Sequence, residues 1–116
     1  MKLYGITNCN TVKKARDWLS EHHIPVEFHD FKKQGLDAKT AQRWLKQSDW
    51  TKLVNRSGMT WRNLPETRKQ MVQDAPSALA LMLEKTSVIK RPVLEQEGKL
   101  LHVGFDEAGY SNIFNI

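Results

Sequence analysis

Chemistry in this chain would turn on one residue, Cys9, in the stretch Asn8-Cys9-Asn10-Thr11-Val12-Lys13-Lys14. An isolated cysteine is most often a small buried hydrophobe. Here its neighbours Asn8, Asn10 and Thr11 are polar residues that favour turns and helix starts. At such a start, unpaired backbone N–H groups point outward with the positive end of the helix dipole and stabilise a thiolate. Lys13 and Lys14 are expected to add positive charge in the first turns. A thiol pKa falling from ~8.5 to ~6.5 would raise the ionised fraction at slightly alkaline pH from about a tenth to about nine tenths. Three residues on, where a C-x-x-C redox protein has its resolving thiol, stands Val12. An adduct on Cys9 must then be resolved by an external thiol, and glutathione, anionic and abundant in reducing cytosol, is the expected small one.

The elements that position this cysteine can be read from periodicity. Lys2 to Thr7 alternates polar and apolar residues as a strand, and Asn8 to Thr11 is expected to turn the chain into a helix. In that helix Val12, Ala15, Trp18 and Leu19 fall on one face, and His22-His23 before Pro25 closes it. Val26, Phe28 and Asp30-Phe31 suggest a second strand, so residues 2 to 31 form a βαβ unit. Gly35 breaks the chain, and Asp37 caps a helix carrying Ala38, Ala41, Trp44 and Leu45. Trp50 to Val54 is an apolar patch, Asn55 to Leu64 a polar loop, and Pro65 starts a helical turn through Met71. Ala75-Pro76-Ser77 is expected to separate that turn from an apolar helix over 78–85. A helical insert thus occupies about 36–86. Pro92-Val93-Leu94, a Glu97-Gly98 turn and Lys99 to Val103 then form a hairpin, and Gly104 and Asp106 introduce a last helix. The order βαβ, helical insert, ββα, with a lone cysteine after the first strand, describes an α/β thioredoxin-like fold with a four-stranded mixed sheet, in a single domain over 1–116.

Pro92 heads the returning strand, where its missing N–H costs least, and an X-Pro bond there can be cis. Thioredoxin-like folds use a cis-proline at this place to present backbone groups beside the reactive cysteine. Arg91 would then approach Cys9 and bind an oxyanion or a glutathione carboxylate. The same residues also fit a solvated charge before a strand.

The 116 residues (13.5 kDa) suffice for one core burying roughly 65% of the unfolded surface, without disulfide or structural metal. A single thiol with no partner in the chain fits a reducing compartment, and no stretch resembles a signal peptide or membrane span, so a cytoplasmic location is expected. The formal charge of +5, from 18 Lys and Arg against 13 Asp and Glu, favours anionic partners. Its dispersion along the chain argues against a nucleic-acid interface. His22, His23, His29 and His102 lack the spacing of a metal set, and Trp18, Trp44, Trp50 and Trp61 read as core.

The stretches Tyr4 to Ala15, Arg56-Ser57-Gly58, Ile89 to Leu94 and Val103-Gly104-Phe105 together resemble the arsenate reductase ArsC/Spx family, and within it the small YffB-type proteins. The resemblance implies Cys9 as nucleophile and Arg56 and Arg91 as oxyanion-contacting arginines; Asn8, Asn10, Thr11 and Lys13 around the cysteine and Pro92 at the head of the returning strand are expected to complete the substrate site. It also implies a glutathione- or glutaredoxin-coupled reductase, or alternatively an Spx-like regulator that binds RNA polymerase without catalysis. Arsenate reductases carry a third arginine where this chain has Phe105. One lost charge-assisted contact weakens oxyanion binding by roughly 1.5 to 3 kcal/mol, which would make arsenate a poor substrate. The Spx-type regulators usually carry a C-x-x-C switch, which Val12 removes.

Overall fold

Leu3, Tyr4 and Gly5 are buried in a strand of only four residues, β1 (Lys2–Gly5), which lies in the middle of a sheet. The computed structural model describes residues 1–116 and adds α1 (Asn10–Glu21), β2 (Glu27–Asp30), α2 (Phe31–Gln34), α3 (Ala38–Gln47), α4 (Trp50–Leu53) and α5 (Met59–Arg62). After these come α6 (Glu66–Gln70), α7 (Ala75–Glu84), a 3-10 turn (Thr86–Val88), β3 (Val93–Gln96), β4 (Lys99–Val103) and α8 (Glu107–Phe114). The sheet order is β2-β1-β3-β4. β1 runs parallel to β2 and antiparallel to β3, so the four-stranded sheet is mixed, as the thioredoxin-like pattern requires.

The chain divides into two compact units, Met1–Gln34 with Arg91–Ile116, and Gly35–Lys90. In the first, strand alternation sorts the side chains. Leu3 and Leu94 are register partners, both fully buried, and share a cluster with Ala15, Trp18 and Leu19 of α1 and Tyr110 of α8. The next residues along, Tyr4 and Glu95, therefore point to the other face, where the Tyr4 hydroxyl donates to Glu95 Oε1 at 3.0 Å. Both are buried, and the bond gives a hydrogen-bond donor to a carboxylate withdrawn from water. The hairpin turns through Glu97 (φ 49) and Gly98 (φ 81), the left-handed pair that matches strand twist.

In the second unit Asp37 accepts from Thr40 N–H and starts α3, whose Ala41 and Trp44 are wholly buried. α3 packs against α7, which buries Ala78, Leu81 and Met82. Asp74 and Ser77 close a capping box, so α7 begins at Ala75 with Pro76 in its first turn. The expected break at 75–77 is therefore the helix start itself, because proline in a first turn forfeits no intrahelical bond. Gly58 caps the short helix α5 within the expected loop of 55–64. Phe31 belongs to α2 rather than to β2: the Asp30 carboxylate accepts from Lys32 N–H at 2.8 Å and turns the chain there. The two ends of this unit are tied by an antiparallel bridge between Val54 and Ile89, with Lys90 N–H on Leu53 O and Asn55 N–H on Val88 O, both at 2.8 Å.

α1 comes close to the end of β1 because Gly5 has no side chain. A Cβ added there would lie 2.8 Å from Val12 Cγ2, and Val12 is itself buried and, being β-branched, stiff about χ1. Gly5→Ala is expected to destabilise the protein by about 1–3 kcal/mol through overpacking. A urea midpoint equal to that of the wild type would contradict this close approach.

Candidate active site

Cys9 is the N-cap of α1. Its backbone is extended (φ −152°, ψ 120°), and its carbonyl accepts the first helical bond from Lys13 N–H at 3.0 Å. Asn10 and Thr11, expected before the helix, are its first two residues. The thiol is free and half-buried. Burial opposes ionisation of this thiol. It is outweighed by the N–H of Val12, by the Arg91 side chain as donor and as positive charge, and by the N–H of Thr11, so the pKa lies below that of an ordinary thiol. The lysines expected to share this work, Lys13 and Lys14, are exposed and are not among the groups that move the thiol.

Arg91 reaches the thiol from the start of the hairpin. The Arg91-Pro92 peptide is cis, Pro92 is buried, and its carbonyl accepts from Gly104 N–H at 2.8 Å, which joins the entry of β3 to the exit of β4. Asn8, Asn10, Thr11 and Lys13 are exposed beside Cys9 in sequence. A groove of about 420 Å³ lined by Thr7, Val12, Lys13, Arg16, Asp17 and Ser20 runs along this side of α1. Arg56 belongs to the second compact unit, where its guanidinium lies 5.4 Å from the centre of the Trp50 ring. Phe105 packs its ring edge-on to Tyr110 at 4.8 Å and brings no charge to its position. No group of three His, Cys, Asp or Glu side chains is arranged to hold a metal ion.

The residue that side-chain reasoning undervalued is Val12. It marks the missing second thiol, but its backbone N–H is the leading contribution that favours the thiolate. A donor of this kind leaves no trace in residue type, and only the position of the helix start could have revealed it. Gly5 is similar, since its role is visible only once α1 is placed.

A mixed four-stranded sheet, a cysteine capping the helix after the first strand and a cis-proline before the third define a thioredoxin-like protein with a single thiol at the start of its first helix. The chain belongs to the ArsC family, whose sequence pattern matches residues 4–113. A solved structure named YffB is 44% identical, with a TM-score of 0.90 over 97% of this chain and 96% of that one. An arsenate reductase (ArsC) related protein from Brucella melitensis is 53% identical, with a TM-score of 0.77 over 99% of this chain and 94% of that one. The global transcriptional regulator Spx 2 of Lactococcus lactis is 26% identical over 90% of this chain and 79% of its own length. No helix is long and apolar enough to cross a membrane.

The rate of Cys9 alkylation by iodoacetamide is expected to rise with pH through a midpoint below that of a free thiol and to level off above it. Arg91→Ala should move the midpoint upward and slow the reaction at any pH below it, whereas Arg91→Lys should retain much of the lowering by keeping the charge. An unchanged midpoint in Arg91→Ala would remove the arginine from the site. Folding linkage has the same sign. The thiolate stabilises the native state above the unfolded thiol pKa, and that contribution is lost as pH falls through the lower folded value.

Proposed function

We propose that the protein is a glutathione-dependent thiol-disulfide oxidoreductase with Cys9 as its nucleophile. The Cys9 thiolate attacks one sulfur of a disulfide R–S–S–R′, forming Cys9–S–S–R and expelling R′–S⁻, which takes a proton from water. With Val12 in place of a resolving cysteine, a glutathione thiolate attacks the R sulfur, giving a glutathione–R disulfide and returning Cys9 as thiolate. Carrying this reading is the convergence of the Val12 and Thr11 N–H groups and the Arg91 guanidinium on one accessible thiol. The groove containing Lys13 and Arg16 supports it further, since two cations along α1 suit the carboxylates of glutathione. Glutaredoxin could act as the resolving thiol in the same way. Asn8, Asn10, Thr11 and Pro92 form the rim of the site in this proposal. Membership of the ArsC family and the similarity to an arsenate reductase related protein favour reductase chemistry, while Phe105 argues for a substrate other than arsenate.

Turnover of a glutathionylated mixed disulfide, followed through oxidised glutathione with glutathione reductase and NADPH, tests the proposal. Cys9→Ser should abolish it, and persistence of full turnover in that variant would disprove the role of Cys9. The similarity to Spx favours a second reading, a regulator that docks on RNA polymerase. It predicts equal capture of purified RNA polymerase by wild type and Cys9→Ser, with no disulfide turnover by either.

A further inference from the structure

On the other flank of α1 lies a groove of about 540 Å³ with different chemistry. Thr11, Lys14, Trp18 and Glu21 recur at three- and four-residue spacing and form one helical stripe along it. Asp17 stands beside them, and Phe105, Asp106 and Glu107 close the far wall from the junction of β4 and α8. The aromatic members, Trp18 and Phe105, are backed by Tyr110, whose ring meets both edge-on at 5.5 and 4.8 Å. Around them stand four carboxylates and one lysine, in a protein whose overall charge is +5. Asp106 is committed as the cap of α8, accepting from Gly109 N–H at 2.7 Å and lying 2.9 Å from His102 Nε2. The other three, Asp17, Glu21 and Glu107, are exposed and form neither hydrogen bond nor ion pair, and Lys14 likewise forms no ion pair. The groove begins at Thr11, one of the two residues whose N–H faces the Cys9 thiol.

We infer that this groove is a subsite for a basic segment of a protein disulfide substrate, so that Cys9 acts preferentially on sulfurs flanked by lysine or arginine. The inference rests on the thiol-exchange reading above and specifies its substrate class. Uncompensated carboxylates attract a cation, and the half-buried Phe105 ring takes the aliphatic stem of such a side chain, whereas Trp18 is buried with its ring stacked on His22 at 3.9 Å. An oxyanion gains nothing there. From Thr11 to Glu21 the helix rises about 15 Å, the length of four or five extended residues, so a segment joined to a sulfur on Cys9 can reach the acidic end. In the bond-forming step Cys9 attacks the substrate sulfur as described above, and the groove only orients the flanking chain.

Two peptides of identical sequence, except for lysines or glutamates on both sides of a central cysteine, separate these effects. Each carries 5-thio-2-nitrobenzoate on its cysteine, and release of the coloured thiolate at low salt measures attack by Cys9. The lysine peptide should react faster in the wild type. Combined Asp17→Asn, Glu21→Gln and Glu107→Gln should lower the lysine-to-glutamate rate ratio by roughly eight- to sixtyfold, since each exposed pair contributes a factor of roughly two to four. Lys14→Gln should raise the ratio, and high salt should compress it in the wild type. Because the readout is a ratio, a general loss of activity does not imitate the effect, and the salt and Lys14 arms stand if the triple variant fails to fold. A wild-type ratio that favours glutamate, or that neither salt nor these substitutions move, would overturn the subsite while leaving Cys9 reactivity intact. Absence of release from both peptides would overturn the thiol reading and the subsite together.

Discussion

The missing side chain of Gly5 lets Val12 press onto the end of β1, and the remaining features of the thiol site depend on that approach. With α1 seated at that distance, the chain between strand and helix has only residues 6–9 in which to turn, and Cys9 falls at the N-cap in extended conformation. The N–H groups of Thr11 and Val12 have no helical acceptor at this end and remain available to the sulfur. A bulkier residue at position 5 would displace the helix, and with it the donors that favour the thiolate.

Two opposing effects then decide the state of the thiol. Burial is the largest single influence and favours the neutral form, as low dielectric does for any ionisable group that loses hydration. It is overcome because several donors act together, two from one helix end and one from a side chain carried by the hairpin. Arg91 contributes both a hydrogen bond and a full charge, so the tertiary pairing that brings β3 against β1 belongs to the electrostatics of the site as much as to the sheet. The sheet itself is secured on both faces, by Leu3 and Leu94 against the helices on one side and by the Tyr4 hydroxyl on the Glu95 carboxylate on the other.

Charge on α1 is divided between its two flanks in a way that the overall balance of +5 conceals. Lys13 and Arg16 line one groove, Lys14 and Glu21 line the other together with Asp106 and Glu107 from the end of the sheet, and Asp17 borders both. Screening over about 8 Å at physiological salt makes these local fields, rather than the net charge, the ones a bound ligand experiences.

Much of this arrangement was legible in the residues alone. The apolar face Val12, Ala15, Trp18 and Leu19, the caps Asp37 and Asp106, the Glu97-Gly98 turn and the βαβ, helical, ββα order follow from periodicity and local turn chemistry, which act over a few residues and do not depend on the rest of the chain. Cys9 at a helix start was readable for the same reason. The short helices α4 and α5 and the proline inside the first turn of α7 were less accessible, because four-residue helices have no full apolar period and a proline there breaks no bond. The approach of Arg91 was expected from the place of Pro92 in the returning strand. What only the tertiary structure decided is that the Val12 N–H meets the sulfur while Lys13 and Lys14 do not. Lys13 and Lys14 are nearest in sequence yet point elsewhere, whereas Arg91 comes from the far end of the chain by strand pairing and Val12 acts through its backbone. Helical geometry turns successive side chains about the axis, and sheet pairing ignores sequence distance, so proximity in the chain could not reveal either partner.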